Sequence, residues 1–394
     1  MNKQLTLLAV AALSCAGAAQ AQNSVTIYGA LDAGVLNLST TSGGAGYIPS
    51  TTDKGSFTGL KDGGIGGSNI GIKGERDMGN GNKAYFQLQG NLNLKDGVTG
   101  GTTATGSTAN FNQLALIGLS GNVGDLKIGR QVSPMFYAMA STDARGARYF
   151  GSTLTTIVGM NSASGIWSAA NNSMFGTVYN DNSLVYTSPK FANTTVSVQH
   201  AFGNTAGNSG ANSQDAVTAI YSNEGLRLSA LYYNGKGNGS ATATAAVGAP
   251  TAAALGFTES ANTNRLTSVG ALYTTGPWTM SFAVFEGENP AGAKVPGGSI
   301  KMTANAFGLA YKLTPDINIS GGYYDLKDKT NSGNKANQTA ISLDYTMFKD
   351  TIVYVQAAST TNKGNNMNLS PIYASVPAAN KNNTATMIGV RYTF

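Results

Sequence analysis

Lys83-Ala84-Tyr85-Phe86-Gln87-Leu88-Gln89-Gly90-Asn91-Leu92-Asn93-Leu94 sorts into two faces at a period of two. Ala84, Phe86, Leu88, Gly90, Leu92 and Leu94 share one parity, and the polar residues between them share the other. Side chains along a strand point to opposite faces in turn, so this spacing predicts a half-buried β-strand. Segment 25–35 behaves alike. Val25, Ile27, Gly29, Leu31, Ala33 and Val35 alternate with Thr26, Tyr28, Ala30, Asp32 and Gly34. Two all-β architectures fit such strands. In a soluble sandwich the apolar face enters a core; in a membrane barrel it meets lipid.

The connections separate the two. Seven are short: Asp77–Asn82, Gly121–Gly124, Pro189–Asn193, Asn223–Gly225, Thr275–Pro277, Thr314–Asp316 and Met347–Asp350. Eight are long, near 38–67, 95–110, 132–176, 202–216, 235–262, 286–300, 327–335 and 360–383. Strict short–long alternation predicts sixteen antiparallel strands with both termini at the short-turn end, the layout of an outer-membrane barrel. A sandwich has no reason to keep it. Charge placement agrees. A lipid-facing charge near the bilayer midplane costs roughly 2–4 kcal/mol, and Lys73, Lys83, Arg227 and Arg391 fall on polar parity. Arg76 falls on the apolar parity, but beside a turn, within reach of headgroups.

The ends and the composition bound the rest. Lys3, the apolar run Leu5–Leu13 and Ala19-Gln20-Ala21 form an export signal with a small-x-small cleavage site. Residues 1–21 are therefore expected to be removed, leaving 22–394 as the barrel. Cys15 raises a lipoprotein alternative, for which Ala12-Leu13-Ser14 is a poor box. It is the one cysteine, so the mature chain has no disulfide framework. Charged residues are 11% of the chain, against about 25% in soluble domains. The net charge of +6 comes without Lys/Arg clusters, which argues against a nucleic-acid partner.

Several ordered segments resemble the trimeric general porins of β-proteobacteria, in the Gram-negative porin family. They are Val25-Thr26-Ile27-Tyr28-Gly29 with Leu31-Asp32-Ala33-Gly34, and Ile70 to Gly79 followed by Lys83 to Leu88. Gly118-Leu119-Ser120-Gly121, Leu126 to Gln131 with Pro134, Asn182 to Pro189 and the terminal Phe394 continue the series. The resemblance implies an all-β, 16-stranded antiparallel transmembrane β-barrel with short periplasmic turns, long external loops and a third loop folded into the pore. It also implies a homotrimer in outer-membrane lipid and lipopolysaccharide, inserted by the barrel-assembly machinery, with Phe394 as assembly signal. The implied activity is passive diffusion of small polar solutes and ions, without a cofactor. Several relatives carry wall arginines at positions matching Asn69, about Gln113 and Tyr179, all uncharged here. A strong anion filter is therefore not carried over.

The longest loop, about 132–176, is the candidate constriction. Its charges are Asp143, Arg145 and Arg148, a net +1. With Arg130 at its base and Lys73 on the wall, basic groups predominate, which predicts a modest anion preference. The competing reading makes Arg145 and Arg148 loop anchors, paired to Asp143 or to wall acids such as Asp32. Tyr137, Tyr149, Phe150 and Trp167 either line a slide for organic solutes or pack the loop on the wall. Trp278, after Gly276-Pro277, suits an interfacial aromatic girdle. His200, the one histidine, has no Cys or acids spaced for a metal site and no catalytic triad. The chain reads as a channel rather than an enzyme. The alternatives are a substrate-specific channel for sugars or small organic acids, and an outer-membrane adhesin or barrel hydrolase.

Overall fold

The computed structural model describes residues 24–42, 52–102, 108–163, 166–167, 178–204, 206–207, 209–210, 213–236, 242–243, 263–290, 298–364, 367–375, 377–378 and 380–394. The export segment 1–21 and the Trp167 side chain lie outside the described residues. Strands run in chain order as β1 Ser24–Leu38, β2 Phe57–Asp62, β3 Asn69–Gly79, β4 Asn82–Asn91, β5 Leu114–Gly121 and β6 Gly124–Val132. There follow β7 Tyr179–Thr187, β8 Thr194–Ala201, β9 Gln214–Asn223, β10 Leu226–Lys236, β11 Thr263–Thr275 and β12 Trp278–Glu288. The last five are β13 Lys301–Lys312, β14 Ile317–Asp328, β15 Lys335–Phe348, β16 Thr351–Lys363 and β17 Asn383–Thr393.

Apart from β2 and β3, which both pair with β1, each strand pairs antiparallel with the next, and β17 returns to β1, with Ala30 opposite Thr393 and Leu38 opposite Ala385. The sheet is closed. β2 and β3 lie end to end along β1, so they occupy one of sixteen positions around the barrel. The sequence placed β2 inside the first long loop; its pairing with Ala33–Leu38 makes it wall instead. Closure is completed by Phe394, whose N–H donates to the Gly29 carbonyl at 3.1 Å while Gly29 N–H donates back at 3.0 Å. A Cβ on Gly29 would sit 2.8 Å from the Phe394 ring, so only glycine admits that ring. At the β3–β4 turn, Gly79, Asn80 and Gly81 all have positive φ, which Gly and Asn tolerate and β-branched residues do not.

Parity decides which face is which. Ile27, Ile117, Val269, Phe282, Phe307, Leu343 and Ile388 point outward and stay exposed, in a band that runs round the wall. A water-facing band of this kind is a liability, whereas lipid solvates it. Tyr273, Trp278, Tyr345 and Tyr392 ring the short-turn end, with Trp278 and Tyr311 centroids 4.4 Å apart. Such aromatics seat well at a membrane–water interface, where an apolar body and a polar tip are both satisfied.

The lumen departs from a simple polar-in rule. Ala216, Leu231, Tyr233, Leu266, Phe285, Met302 and Leu326 point inward from β9–β14 and are buried in one apolar cluster. Their partners are loops, not strands. The third loop enters after β6 and forms α1 Pro134–Ser141 and α2 Thr153–Ala163. Ser133 caps α1 by accepting the Met135 N–H at 3.3 Å, with Pro134 pre-set for the first turn. Met135, Ala138 and Met139 on α1, then Ile157 and Met160 on α2, fill the cluster. Each large apolar side chain so buried contributes about 1.5–3 kcal/mol. The third loop thus packs one half of the lumen, with Phe150 also covering Leu36 and Leu38 of β1, and leaves the wall beside β2–β7 open.

Candidate functional site: the pore constriction

Three inward glycines let the third loop approach the wall. A Cβ on Gly270 of β11 would lie 2.2 Å from Thr142 Oγ1. One on Gly308 of β13 would lie 3.0 Å from Ala144 Cβ, and one on Gly322 of β14 2.8 Å from Arg145 Cδ. They form a seat for turn 142–145. Asp143 shapes that turn from within, accepting the N–H groups of Arg145 at 2.9 Å, Ala147 at 3.2 Å and Thr153 at 3.0 Å. Arg145 is 2% exposed. Its Nε donates to the Gly151 carbonyl at 2.6 Å, Nη1 to Ser320, and Nη2 to the Phe150 carbonyl and Ser342 Oγ. Arg148 forms a forked ion pair with Asp344 of β15, at 2.8 and 3.1 Å. All three charges of the loop are thus engaged in holding it.

Asp32, fully buried on β1, does comparable work on the neighbouring stretch of wall. Between β2 and β3 the chain leaves the sheet over residues 63–68. Gly64, Ile65 and Gly66 N–H groups converge on the Asp32 carboxylate at 3.0, 3.0 and 2.9 Å. Tyr354 donates to it at 2.6 Å and Arg391 pairs with it at 3.2 Å. Oriented backbone N–H groups with one arginine satisfy a buried carboxylate. The excursion in turn meets the third loop, since Tyr149 N–H donates to the Ile65 carbonyl at 3.1 Å.

The eighth loop, expected outside with the others, folds inward. Met367, Leu369 and Ile372 are fully buried. Phe150 and Ile372 form an antiparallel bridge, with Gly151 N–H on the Pro371 carbonyl at 3.1 Å and Tyr373 N–H on the Tyr149 carbonyl at 2.7 Å. Gln338 of β15 donates to the Ser370 carbonyl at 3.0 Å. The physical reason is the apolar cluster, which α1 and α2 leave uncovered toward the loop end and which Met367 and Leu369 complete.

A passage of about 490 Å³ remains beside β2–β7. Tyr149, Tyr179 and Tyr373 line it with Lys61, Lys95 and Arg130; the acid on its lining is Asp62. Of the sequence-predicted residues, Arg130, Gln113 and Tyr179 stand here. Arg130 is paired with Asp181, donates to the Asn112 carbonyl at 2.6 Å, and lies 5.6 Å from the Tyr179 ring. Asn69 sits at the edge, donating to the Gly67 carbonyl at 3.2 Å. Lys73 lies nearer the short-turn end, 5.1 Å from the Tyr28 ring. Arg145, Arg148 and Asp143 hold the third loop and Asp32 holds the 63–68 excursion, and none of the four is on this lining. Sequence reasoning missed Lys61, Lys95 and Tyr373, because it assigned all three to external connections. If the eighth loop lines the passage, a bulky thiol reagent on Ala374→Cys should at least halve single-channel conductance. Unchanged conductance after confirmed labelling would place that loop outside.

Comparison with known proteins agrees with this geometry. A family model described as Gram-negative porin matches residues 6–365. The chain is 24% identical to outer membrane porin protein 32 of Delftia acidovorans, over 99% of both chains. Among solved structures, an anion-selective porin from Comamonas acidovorans superposes with a TM-score of 0.73 at 22% identity, covering 95% of this chain and 100% of the other. The trimer form of OmpT from Vibrio cholerae gives 0.60 at 16% identity, covering 95% and 100%. An outward apolar band, a closed antiparallel sheet and a lumen narrowed by an inserted loop are what a bacterial outer-membrane channel requires. The chain belongs to the Gram-negative porin family.

Proposed function

We propose that residues 22–394, freed of the export signal 1–21, form a homotrimeric channel for small polar solutes and ions with a weak preference for anions. The carrying observation is the charge on the passage lining, where Lys61, Lys95 and Arg130 outnumber Asp62. At about 4 Å, two unit charges interact by roughly 1 kcal/mol in water and roughly 4 kcal/mol at an effective dielectric of 20. A narrow wet pore lies between these limits, so two lysines bias ion occupancy several-fold. The preference is weak because Asp181 already engages Arg130. It also lacks wall arginines at Asn69, Gln113 and Tyr179. Lys61→Gln with Lys95→Gln should move the zero-current potential in a KCl gradient toward cation preference, and Asn69→Arg should move it the other way. A double variant that keeps the wild-type potential would remove these lysines from the filter.

The trimer reading is supported by the trimer form recorded for the Vibrio cholerae protein. Outward cations above the apolar band suit the phosphates of lipopolysaccharide. They include Lys301 beside Glu286 at 2.8 Å and Lys327 beside Asp325 at 2.9 Å. Phe394, seated on Gly29 where the sheet closes, suits a signal read by the insertion machinery. No catalytic or cofactor chemistry enters this proposal.

A further inference from the structure

The passage has a composition that a plain ion filter does not call for. Three phenol rings come from three separate parts of the chain: Tyr149 from the third loop, Tyr179 from the start of β7, and Tyr373 from the eighth loop. Tyr149 and Tyr373 ring centroids lie 4.7 Å apart with their planes tilted by 54°. The Arg130 guanidinium stands over Tyr179. Lys61 Nζ donates to the Asp62 carbonyl at 2.7 Å, which leaves two ammonium protons for a solute. Lys95 is exposed on the same lining. Aromatic faces and edges order planar π systems, while free ammonium groups hold a carboxylate. The volume of about 490 Å³ falls within the range typical of small-molecule sites and exceeds what one hydrated ion needs.

From this juxtaposition we infer that the passage contains a binding site for aromatic monocarboxylates, with the ring among Tyr149, Tyr179 and Tyr373 and the carboxylate toward Lys61 and Lys95. The inference deepens the anion-preferring channel proposed above and rests on the same open half of the lumen. Such a site sits on the diffusion path, so it gives a saturable flux for one solute class within an otherwise general pore. Loose binding suits transport, since a solute held tightly would plug the channel.

The test uses the full mature barrel in planar bilayers, with benzoate added on the loop side in KCl. Benzoate should reduce single-channel current along a saturating curve. Cyclohexanecarboxylate, of equal charge and similar size without the π system, should act about five-fold more weakly, the scale of one or two lost ring contacts. Tyr373→Leu keeps bulk and the backbone bond to Tyr149, and should bring the two solutes within about two-fold of each other. Lys61→Gln should weaken both together and preserve their ratio. Equal action of benzoate, cyclohexanecarboxylate and acetate, or a reduction linear in concentration, would overturn the site. The zero-current potential measured in the same membranes separates the two proposals. Saturable benzoate block without anion preference fails the filter alone, and anion preference without saturable block fails the site alone.

Discussion

Replacing Asp32 with alanine should cost about 3–5 kcal/mol, the range for breaking a buried charge pair from one side. The loss strands three glycine-rich backbone N–H groups, the Tyr354 hydroxyl and the Arg391 guanidinium at once. Gly64 and Tyr354 are buried with Asp32 and cannot turn to water, whereas Ile65, Gly66 and Arg391 are half-buried. The excursion at 63–68 should release first, since its bonds to the carboxylate hold it off the sheet. The expected readout is a lower temperature for the folded-to-unfolded shift on gels, with new protease cleavage near Gly63–Gly67. Asp32→Asn keeps a polar oxygen but leaves Arg391 without its charge partner, so it should fall between wild type and alanine. Full thermal resistance of Asp32→Ala would show that the sheet alone sets stability and that the carboxylate is dispensable.

Arg145→Leu should act on the channel more than on the barrel. Its five hydrogen bonds join the third loop to itself at Phe150 and Gly151, and to the wall at Ser320 and Ser342. Losing them costs about 3–5 kcal/mol, which moves the docking equilibrium of turn 142–152 by roughly two to four decades. The strand ladder is untouched, so trimers should still assemble. Single-channel traces should then show frequent excursions to higher conductance, as the loop leaves the lumen and returns. Arg145→Lys retains charge without the planar fork, and should give an intermediate rate of excursions. Quiet traces of wild-type amplitude from Arg145→Leu would show that the apolar packing of α1 and α2 suffices to hold the loop.

The wall was legible in the sequence because its rules are local. Alternation at 83–94, the short turns, and the terminal Ile388, Val390, Tyr392 and Phe394 each state their face without distant partners. The contents of the lumen are different. Leu231 and Tyr233 point inward but lie beside outward Tyr232, so the stretch 230–233 is apolar on both parities. Only the docking of α1, some ninety residues earlier, explains it. Gly270, Gly308 and Gly322 carry the same message in another form. Each is a gap on the inward parity of a strand, and the sequence shows the gap without showing what fills it. Arg145 and Arg148 were visible as charges, but their partners on β14 and β15 lie more than 170 residues away. Lys61 was hidden by a different cause. β2 pairs only with the upper half of β1, after an irregular stretch that reads as loop.

The third loop also makes one arc of the cylinder stiffer than bare wall. A single-layer sheet resists stretching along its hydrogen bonds, but it bends easily and would flatten under lateral load from the membrane. Arg148 on Asp344 fixes one end of the loop to β15, and Tyr149 on Ile65 ties the adjoining residue to the excursion hung from β1 and β17. The two anchorages are neighbours on the wall, since Asp344 lies opposite Tyr354 of β16 and Tyr354 bonds Asp32, so the stretch braces the arc from β15 to β1 as a rib braces a hull. Bending that arc must strain the buried ion pair or the Asp32 cradle, so osmotic swelling of the envelope should be taken up by the rest of the wall.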